Sequence, residues 1–472
     1  MPGYYVENFG CRATQADGAA LERQFEERGL TRALAAAQAA VVVLNTCTVT
    51  AAADGDARSA IRRVRRQNPE AQIVVTGCYA QRVPEEIAAL PGVSLVVGNS
   101  HKHRLAEIVL SGEATAPKAG SFVPLTALVS LSQRPTTEDQ RPIYVSDIFA
   151  HTELLAAPVF DASNERTRPN LKVQDGCDNR CSFCVIPYVR GQSRSLPMGR
   201  VIDEVNGLVD SGYREIVISG INLGRWGRDL EGRPQPLDLN RTPNFEDLIR
   251  AILDESSLEK LRISSVEPMD WSDELISLVA SSPRIAKHAH VPMQSGSDLV
   301  LRRMHRKYRP WHYRDKITKI RAAMPSAAIG ADVMVGFSGE TDAEFEETRR
   351  MIEDLPFTYL HVFTYSPRPG TPAADMANQV PVHVARERNR ALRELASQKH
   401  LAFMRSFVGK EIEAITLRAL SDIAHLGAED SASTEALTDN YLKLHLRGRL
   451  EPNRWLGARI HAVEGGALVG AA

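Results

Sequence analysis

The sequence predicts an α/β fold in three parts: an amino-terminal parallel α/β domain, a partial barrel of strand–helix repeats and a small carboxy-terminal β-barrel. Short β-branched runs alternate with helical patterns through residues 1–112, which is typical of a parallel sheet. Six strand–helix repeats follow from Leu171. The end of the chain, residues 405–472, changes to short strands of alternating polarity.

The amino-terminal domain, residues 1–112, contains three predicted strands that each end at a cysteine. Their continuous apolar residues indicate strands buried on both faces of a sheet. A helix is predicted from Gln15 to Arg28, with Gly29 as its stop, and a fourth strand over Ser94–Val97. The three strands are Tyr4–Gly10, Val41–Thr46 and Ile73–Gly77, and the cysteines that follow them are Cys11, Cys47 and Cys78.

These three cysteines are expected to meet at one edge of the sheet, because open α/β folds bind ligands outside the carboxyl ends of their strands. Thiolates are the ligands of iron–sulfur clusters, which usually take four cysteines. Three thiolates would leave one iron without a cysteine ligand. The domain is therefore expected to carry a cluster at this edge.

The middle segment, residues 113–165, lacks a clear pattern and contains several prolines. It is either a linker with one or two added strands, over Phe122–Leu131 and Ile143–Ile148, or a functional loop. The sequence leaves both interpretations open.

The second α/β region, residues 166–402, is expected to form an open, partial barrel, because six repeats are too few to close one of eight strands. The predicted strands are Leu171–Gln174, Glu215–Ser219, Leu261–Ser265, His288–Val291, Ile329–Val335 and Tyr359–Phe363. Helical patterns lie between them, for example over Ile202–Asp210, Phe245–Leu253 and Asp342–Leu355. Active sites of barrels lie at the carboxyl ends of the strands.

A cysteine loop follows the first of these strands, at such an end. Cys177, Cys181 and Cys184 have CxxxCxxC spacing, which supplies three thiolates from one loop. A zinc site is the alternative, but structural zinc normally takes four closed ligands. Two three-cysteine sites account for all six cysteines in the chain, so no disulfide is expected.

Composition limits the other classes of function. Scarce cysteine suits a reducing cytoplasm. The first residues do not form a secretory signal, and no apolar run reaches the ~20 residues that span a bilayer. A net charge of −1 means that any RNA binding must come from local patches. The candidate patches are Arg62–Arg66, Arg302–Lys307, the arginine-rich predicted helix Val384–Phe407, and Asn440–Lys443 with Arg447–Arg449 in the terminal barrel.

Several motifs give the chain a resemblance to the radical S-adenosylmethionine (SAM) methylthiotransferases over nearly its whole length. The motifs are Gln174–Cys177, Gly220–Gly224, Ser264–Pro268, Pro292–Ser297 and Gly336–Thr341, in this order and at predicted strand ends. The resemblance implies a Rossmann-like amino-terminal domain, a partial (β/α)6 radical SAM barrel over residues 166–402 and a TRAM-like RNA-binding barrel over 405–472.

The resemblance implies two 4Fe-4S clusters and SAM as cofactors. Cys177, Cys181 and Cys184 would hold the catalytic cluster, whose open iron binds SAM and leads to a 5′-deoxyadenosyl radical. Cys11, Cys47 and Cys78 would hold an auxiliary cluster that supplies or carries sulfur. Side-chain acid–base chemistry cannot break an unactivated aromatic C–H bond, so a cofactor must carry that step.

Five further residues are candidates for contact with the cofactor. Phe183 lies inside the cysteine loop, and Gly220 could permit close approach of the methionine amino group. Three polar residues follow the third and fourth strands and could contact cofactor or substrate: Glu267, Gln294 and Ser297. Asp332 lies inside a strand, where a structural hydrogen bond is expected instead.

The blocks Gly10–Arg12, Asn45–Thr50 and Val75–Gln81 resemble the branch that modifies threonylcarbamoyl-adenosine next to the anticodon of tRNA. The alternatives are methylthiolation of isopentenyl-adenosine, methylthiolation of a ribosomal-protein aspartate, and an RNA-binding iron–sulfur protein without catalysis. The resemblance also implies a cytoplasmic enzyme with the tRNA anticodon arm and a low-potential electron donor, such as flavodoxin or ferredoxin, as partners. We expect the terminal barrel to be removable without unfolding the core.

Overall fold

The computed structural model describes residues 3–111, 141–151, 154, 167–230, 242–417 and 433–472. Its contacts divide the chain into two compact units. The first comprises Met1–Leu155 with Tyr188–Gly191, and the second comprises Ala156–Pro187 with Gln192–Ala472. None of the described helices is long and apolar enough to cross a membrane.

The first unit is built on a parallel sheet with strand order β2-β1-β3-β4-β5-β6. Val41–Thr46 is buried along its whole length, as its continuous apolar sequence predicts. The strands are β1 (Gly3–Asn8), β2 (Thr31–Arg32), β3 (Val41–Thr46), β4 (Gln72–Gly77), β5 (Val93–Gly98) and β6 (Ile143–Tyr144). The helices are α1 (Arg12–Glu26), α2 (Ala51–Gln67), α3 (Cys78–Arg82), α4 (Pro84–Ala88) and α5 (Leu105–Leu110).

Within the middle segment, only part of the predicted structure can be compared. Ile143–Tyr144 pairs with β5 and extends the first sheet by one short parallel strand, so the predicted strand over Ile143–Ile148 is present but shorter. The predicted strand Phe122–Leu131 lies outside the described residues.

The second unit contains six parallel strands in an open curve. Two three-stranded sheets, β11-β10-β7 and β12-β13-β14, are joined by parallel bridges from Leu261 to Ile285 and from Ser265 to His290. The strands are β7 (Asn170–Lys172), β10 (Glu215–Ser219), β11 (Lys260–Ile263), β12 (His288–His290), β13 (Ala328–Val335) and β14 (Tyr359–Thr364). Two short strands, β8 (Gln174–Asp175) and β9 (Arg194–Ser195), pair at the cysteine loop. The partial barrel predicted from the sequence is confirmed.

Helices follow these strands in turn, as right-handed parallel crossovers require. They are α6 (Ile186–Arg190), whose last three residues belong to the first unit, α7 (Met198–Asp210), α8 (Phe245–Glu255), α9 (Asp273–Ser281), α10 (Asp298–Arg303), α11 (Pro310–Ala323), α12 (Asp342–Asp354) and α13 (Val382–Arg405). Capping boxes at Asn244 and Thr341 satisfy the first backbone N–H groups of α8 and α12.

The end of the chain forms a closed barrel with strand order β15-β16-β17-β19-β18. Its core includes Leu444, Leu446, Ile460 and Leu468, and the first two alternate with exposed or half-buried residues as the sequence predicts. The strands are β15 (Glu411–Thr416), β16 (Ser433–Thr438), β17 (Lys443–Arg447), β18 (Trp455–Glu464) and β19 (Ala467–Ala471). The α/β class with a terminal β-barrel is therefore confirmed.

This barrel packs against the amino ends of the core strands, opposite the cysteine loop. Arg262 and Glu215 are fully buried there and form an ion pair of 2.6 Å. The Arg262 guanidinium also lies 5.3 Å from the ring centre of Tyr441. Lys260 pairs with Glu413 of the barrel at 3.1 Å. Removing the barrel would expose the buried Arg262–Glu215 pair to water and take Glu413 away from Lys260, so the expectation of a cleanly removable barrel conflicts with these contacts.

Candidate active site and a second cysteine cluster

The side chain of Gln174 connects the start of the cysteine loop to the loop after β10 through hydrogen bonds. Its side-chain Nε2 donates to the carbonyl oxygens of Asp175 and Gly176, both at 2.9 Å. Its Oε1 accepts the backbone N–H of Asn222 at 2.7 Å. A Cβ on Gly220 would lie 2.8 Å from the same Oε1, so Gln174 explains the glycine at this position.

Polar groups surround the thiols of the loop. Cys177 Sγ accepts the backbone N–H of Asn179 at 3.4 Å and the Nδ2 of Asn222 at 3.7 Å. Arg306 Nη1 donates to Cys181 Sγ at 3.3 Å. These donors stabilise negative charge on sulfur, which is the form that binds iron.

The three thiols of the loop influence one another electrostatically. Burial raises the pKa of Cys184 to about 12, and the charges of Cys181 and Cys177 raise it further. Burial likewise raises the pKa of Cys177. Such mutual repulsion is removed when a metal cluster takes all three thiolates and displaces their protons. The residues present therefore fit a cysteine-ligated iron–sulfur cluster.

Glu267 reaches this cluster of thiols through Arg306. The Arg306 Nη2 pairs with a Glu267 carboxylate oxygen, and its guanidinium lies 4.9 Å from the ring centre of Tyr308. Burial raises the pKa of Glu267, and the charge of Arg306 counteracts part of that rise. The Glu267 side chain remains 24% exposed, so it can meet a ligand.

Gln294 and Ser297 each carry a polar side-chain group that is not hydrogen-bonded within the described part of the chain. Gln294 has a φ of +61°, and its side-chain amide has no hydrogen-bond partner among the described residues. Ser297 is buried, and its Oγ also has no partner in the described part of the chain. Tyr308 Oη donates to the carbonyl of Met293 at 2.7 Å and so holds the backbone beside Gln294.

Phe183 packs inside the second unit. Its ring meets Phe337 edge-on, with a centroid distance of 6.3 Å, and belongs to a cluster with Val300 and Met304. The ring is only half-buried, which leaves part of it accessible beside the cysteines. Core packing accounts for its position in the structure.

The other three cysteines meet at the carboxyl edge of the first sheet. Burial raises the pKa of Cys47 to about 12, and the charges of Cys78 and Cys11 contribute further, because the three thiols are close. Gly10 has a φ of +97°, and a Cβ there would lie 2.9 Å from Cys47 Sγ. The glycine is therefore required for the approach of this loop to the thiol.

A buried charge network lies beside this second cluster of thiols. Asp17 accepts from Lys102 Nζ and from Arg190 Nη2, both at 3.0 Å. Lys102 Nζ also donates to Asn45 Oδ1 at 3.1 Å. The charge of Arg190 lowers the pKa of Cys47 and so offsets a small part of the rise that burial causes. Two cations, Lys102 and Arg190, therefore lie next to the second cluster of thiols.

Three residues that contact the cysteine loop were not predicted from the sequence: Gln174, Asn222 and Arg306. The first two lie in the motifs quoted above, but their roles depend on a contact between two separate loops. Arg306 belongs to the run Arg302–Lys307, which the sequence suggested for phosphates. In the structure Arg302 pairs with Asp298, Arg303 with Glu344 and Arg306 with Glu267, and phosphate binding by this run stays a prediction.

Two protein-family models match the regions of the chain that contain the two cysteine triads. The model of the Radical SAM superfamily matches residues 171–352, and that of "Uncharacterized protein family UPF0004" matches residues 3–98. The chain is 37% identical over 442 residues to "Threonylcarbamoyladenosine tRNA methylthiotransferase MtaB" of Bacillus subtilis, covering 93% of this chain and 89% of that protein. The protein of the same name from Aquifex aeolicus is 33% identical over 94% of this chain and 97% of its own length.

Two further matches extend the comparison. The "tRNA-2-methylthio-N(6)-dimethylallyladenosine synthase" of Novosphingobium aromaticivorans is 35% identical over 88% of this chain and 86% of its own length. The solved structure of the radical SAM methyltransferase TsrM from Kitasatospora setae is similar in fold, with a TM-score of 0.52, 15% identity and coverage of 85% of this chain and 89% of that one. The chain therefore belongs to the radical SAM methylthiotransferase family and is MtaB-like.

Proposed function

We propose that this enzyme methylthiolates C2 of N6-threonylcarbamoyladenosine next to the anticodon of tRNA, giving 2-methylthio-N6-threonylcarbamoyladenosine. The observation that carries this proposal is the full-length similarity, at 33–37% identity, to relatives with that activity in their names. In the cytoplasm, a low-potential donor such as flavodoxin or ferredoxin supplies the electron.

Cys177, Cys181 and Cys184 hold the 4Fe-4S cluster that radical SAM membership implies. With SAM, a cluster bound there would supply the radical chemistry that breaking an aromatic C–H bond requires. Arg306 positions Glu267 beside Cys181. The Gln294 amide and Ser297 Oγ, which have no hydrogen-bond partner among the described residues, bind polar groups of SAM, and Gly220 and Phe183 shape the space for it.

Cys11, Cys47 and Cys78 hold a second 4Fe-4S cluster, which carries the sulfur. Their mutual charge repulsion supports this assignment, because thiolates held this close need a metal to compensate their charge. Lys102 and Arg190 add positive charge next to the site and stabilise an anionic cluster.

The outer face of the terminal barrel binds the anticodon arm. Leu446 pairs with Gly470, and Ala471 pairs with Arg459, so Arg447 and Arg459 flank Ala471 in one row. Both arginines are exposed, and neither pairs with a carboxylate among the described residues. Cations in such a row can contact successive phosphates.

In the segment Asn440–Lys443, which the sequence also suggested for this role, two side chains contact the core. Tyr441 lies 5.0 Å from His288, between ring centres, and packs on the core, while Asn440 is buried and donates to the carbonyl of Ser326. This packing leaves less of the Tyr441 ring accessible for stacking on a base.

Isopentenyl-adenosine remains the second candidate, because dimethylallyladenosine synthases match at up to 35% identity. The test is mass spectrometry of tRNA nucleosides from a deletion strain that carries the wild type, Cys181→Ala or Cys47→Ala. Only the wild type should restore 2-methylthio-N6-threonylcarbamoyladenosine. A methylthiolated isopentenyl product instead would assign the protein to the second candidate function.

Purified Cys47→Ala should still cleave SAM, whereas Cys181→Ala should not. Each variant should retain about half of the iron, since each triad holds one four-iron cluster. Normal product formation by Cys47→Ala would refute the sulfur-carrying role of the first cluster.

A further inference from the structure

We propose that His290, Asp332 and His361 form a binding site for one divalent transition-metal ion, separate from the two cysteine triads. The three residues come from three neighbouring strands of the second unit, β12, β13 and β14. The proposal does not depend on the identity of the tRNA substrate.

The strand register places all three side chains on one face of the sheet. His290 pairs with Gly330, and Asp332, two residues further along β13, pairs with His361. Side chains two residues apart in a strand point to the same face. The opposite face carries Val362, which is buried beneath α13. The three donors therefore lie on the inner face of the open barrel.

Gly330 leaves space for the ring of Tyr359, which packs against His290 and His361. A Cβ on Gly330 would lie 1.9 Å from the ring of Tyr359, so the ring lies directly over the glycine. Tyr359 stacks on His290 at a centroid distance of 6.0 Å and meets His361 edge-on at 5.4 Å. The two imidazoles are thus held by packing rather than left to rotate freely.

The donor atoms are close enough to share one ion. One ligand atom from each residue lies within 4.8 Å of the other two. Such atoms have a common point at most about 2.8 Å from each, and metal–ligand distances are about 2.0–2.2 Å. Small side-chain rotations are sufficient to bring the three ligand atoms from about 2.8 Å to a metal–ligand distance. His290 is buried, Asp332 half-buried and His361 exposed, so the group is open to an ion from one side.

The hydrogen bonds of His290 leave one ring nitrogen available to a metal. Its Nδ1 lies 3.0 Å from Ser265 Oγ, a contact that fixes the ring. Its Nε2 is buried and has no hydrogen-bond partner among the described residues, and Asp332 Oδ1 lies 3.4 Å from it. Metal-bound histidines characteristically bond a second group through the other nitrogen.

The charge of the group favours a cation over an anion. In the described part of the chain, no lysine or arginine pairs with Asp332. With neutral imidazoles the group has a net charge of −1, which a divalent ion would compensate. Two imidazoles and a carboxylate suit Mn²⁺, Fe²⁺ or Zn²⁺, whereas Mg²⁺ and Ca²⁺ prefer all-oxygen ligands. Three protein ligands would leave positions open for water or a substrate oxygen.

The test is Mn²⁺ binding to the anaerobically purified holoenzyme with its clusters oxidised and silent in electron paramagnetic resonance (EPR). Free Mn²⁺ gives a six-line spectrum that disappears on binding. We expect one saturable site per chain, which Zn²⁺ displaces because imidazole sites bind Zn²⁺ more tightly than Mn²⁺. Asp332→Asn and His361→Ala should each weaken Mn²⁺ binding at least tenfold while the iron content stays unchanged.

Two further variants distinguish the site from other causes. Ser265→Ala removes only the group that orients His290 and should weaken binding about tenfold. His445→Ala, a histidine of the terminal barrel, should bind Mn²⁺ like the wild type. The proposal is overturned if the holoenzyme binds no Mn²⁺, or if Asp332→Asn binds it normally. A higher KM for tRNA in Asp332→Asn without Mn²⁺ binding would assign the group to substrate contact instead.

Discussion

Arg306 connects the cysteine loop to the remaining candidate ligands of the active site. It donates to Cys181, pairs with Glu267 and lies over Tyr308, which in turn fixes the backbone at Met293. Because the guanidinium is planar and forked, it can hold a sulfur and a carboxylate at once, which a lysine cannot do. The position of Glu267 is thus a consequence of Arg306.

Replacing Glu267 with Gln should weaken SAM binding without removing the cluster. The amide retains the size of the side chain but carries no charge. The variant therefore loses both the ion pair with Arg306 and the carboxylate that the cofactor would contact. Hydrogen bonds to charged groups contribute about 1.5–3 kcal/mol, so the Kd should rise at least tenfold. Equilibrium binding of SAM and iron content measure the two effects.

Glu346→Gln is the matched control, because Glu346 is a helix-surface residue that pairs with Arg349 and Arg350. It should bind SAM like the wild type. Unchanged affinity in Glu267→Gln would remove Glu267 from the set of cofactor ligands.

Gly10→Ala should disrupt the second cluster of thiols alone. Its φ of +97° disfavours any side chain, and the new Cβ would collide with Cys47. We expect loss of about half of the iron, no methylthio product and normal SAM cleavage. Gly55→Ala, where a Cβ meets nothing within 4 Å, should retain all three properties. Full iron content in Gly10→Ala would show that this loop does not shape the cluster site.

The packing of the terminal barrel on the core depends on Tyr441. Its ring contacts His288, and the Arg262 guanidinium lies 5.3 Å from its centre. Tyr441→Ala should destabilise this contact by about 2 kcal/mol or more, since it removes an aromatic ring and exposes a buried ion pair. Limited proteolysis between α13 and β15 should become faster.

Lys443→Ala provides the comparison for Tyr441, because it lies two residues away on the same segment and is exposed. It should leave the proteolysis rate unchanged. Equal rates in the two variants would show that Tyr441 does not hold the barrel in place.

The elements that carry the cysteines were predictable because their signals are local. A continuous apolar run before Cys47 specifies a buried parallel strand, and strand ends of such sheets form ligand sites. The start of α1 was less predictable: the helix begins at Arg12, directly after Cys11, rather than at Gln15. Helix starts without a side-chain cap leave little trace in sequence.

Contacts between distant segments could not be read from the sequence. Asp332 was expected to make a structural hydrogen bond; its carboxylate lies 3.4 Å from His290 of β12, and its backbone pairs in register with His361 of β14. Tyr441 looked like an RNA contact because aromatic and basic residues adjoin it in sequence. Which face of a barrel meets another domain is set by tertiary packing, which alternating patterns do not encode.

Binding of tRNA by the whole molecule should depend on Arg447 and Arg459. Replacing both with Ala should weaken binding and reduce the slope of log K against log salt by about 1.4–1.8, as expected for two lost phosphate contacts. Arg454→Ala is the control, since Arg454 already pairs with Glu451. SAM cleavage without tRNA should be normal in all three proteins. An unchanged slope in the double variant would move the RNA interface away from this face.

The most direct test of the proposed activity is a reaction with purified components. Reconstituted enzyme, SAM, sulfide and a low-potential reductant are incubated with two tRNAs, one with N6-threonylcarbamoyladenosine and one with N6-isopentenyladenosine. Nucleoside mass spectrometry should detect 2-methylthio-N6-threonylcarbamoyladenosine, and no methylthio product from the isopentenylated tRNA. Methylthiolation of the isopentenylated tRNA alone would contradict the proposed function.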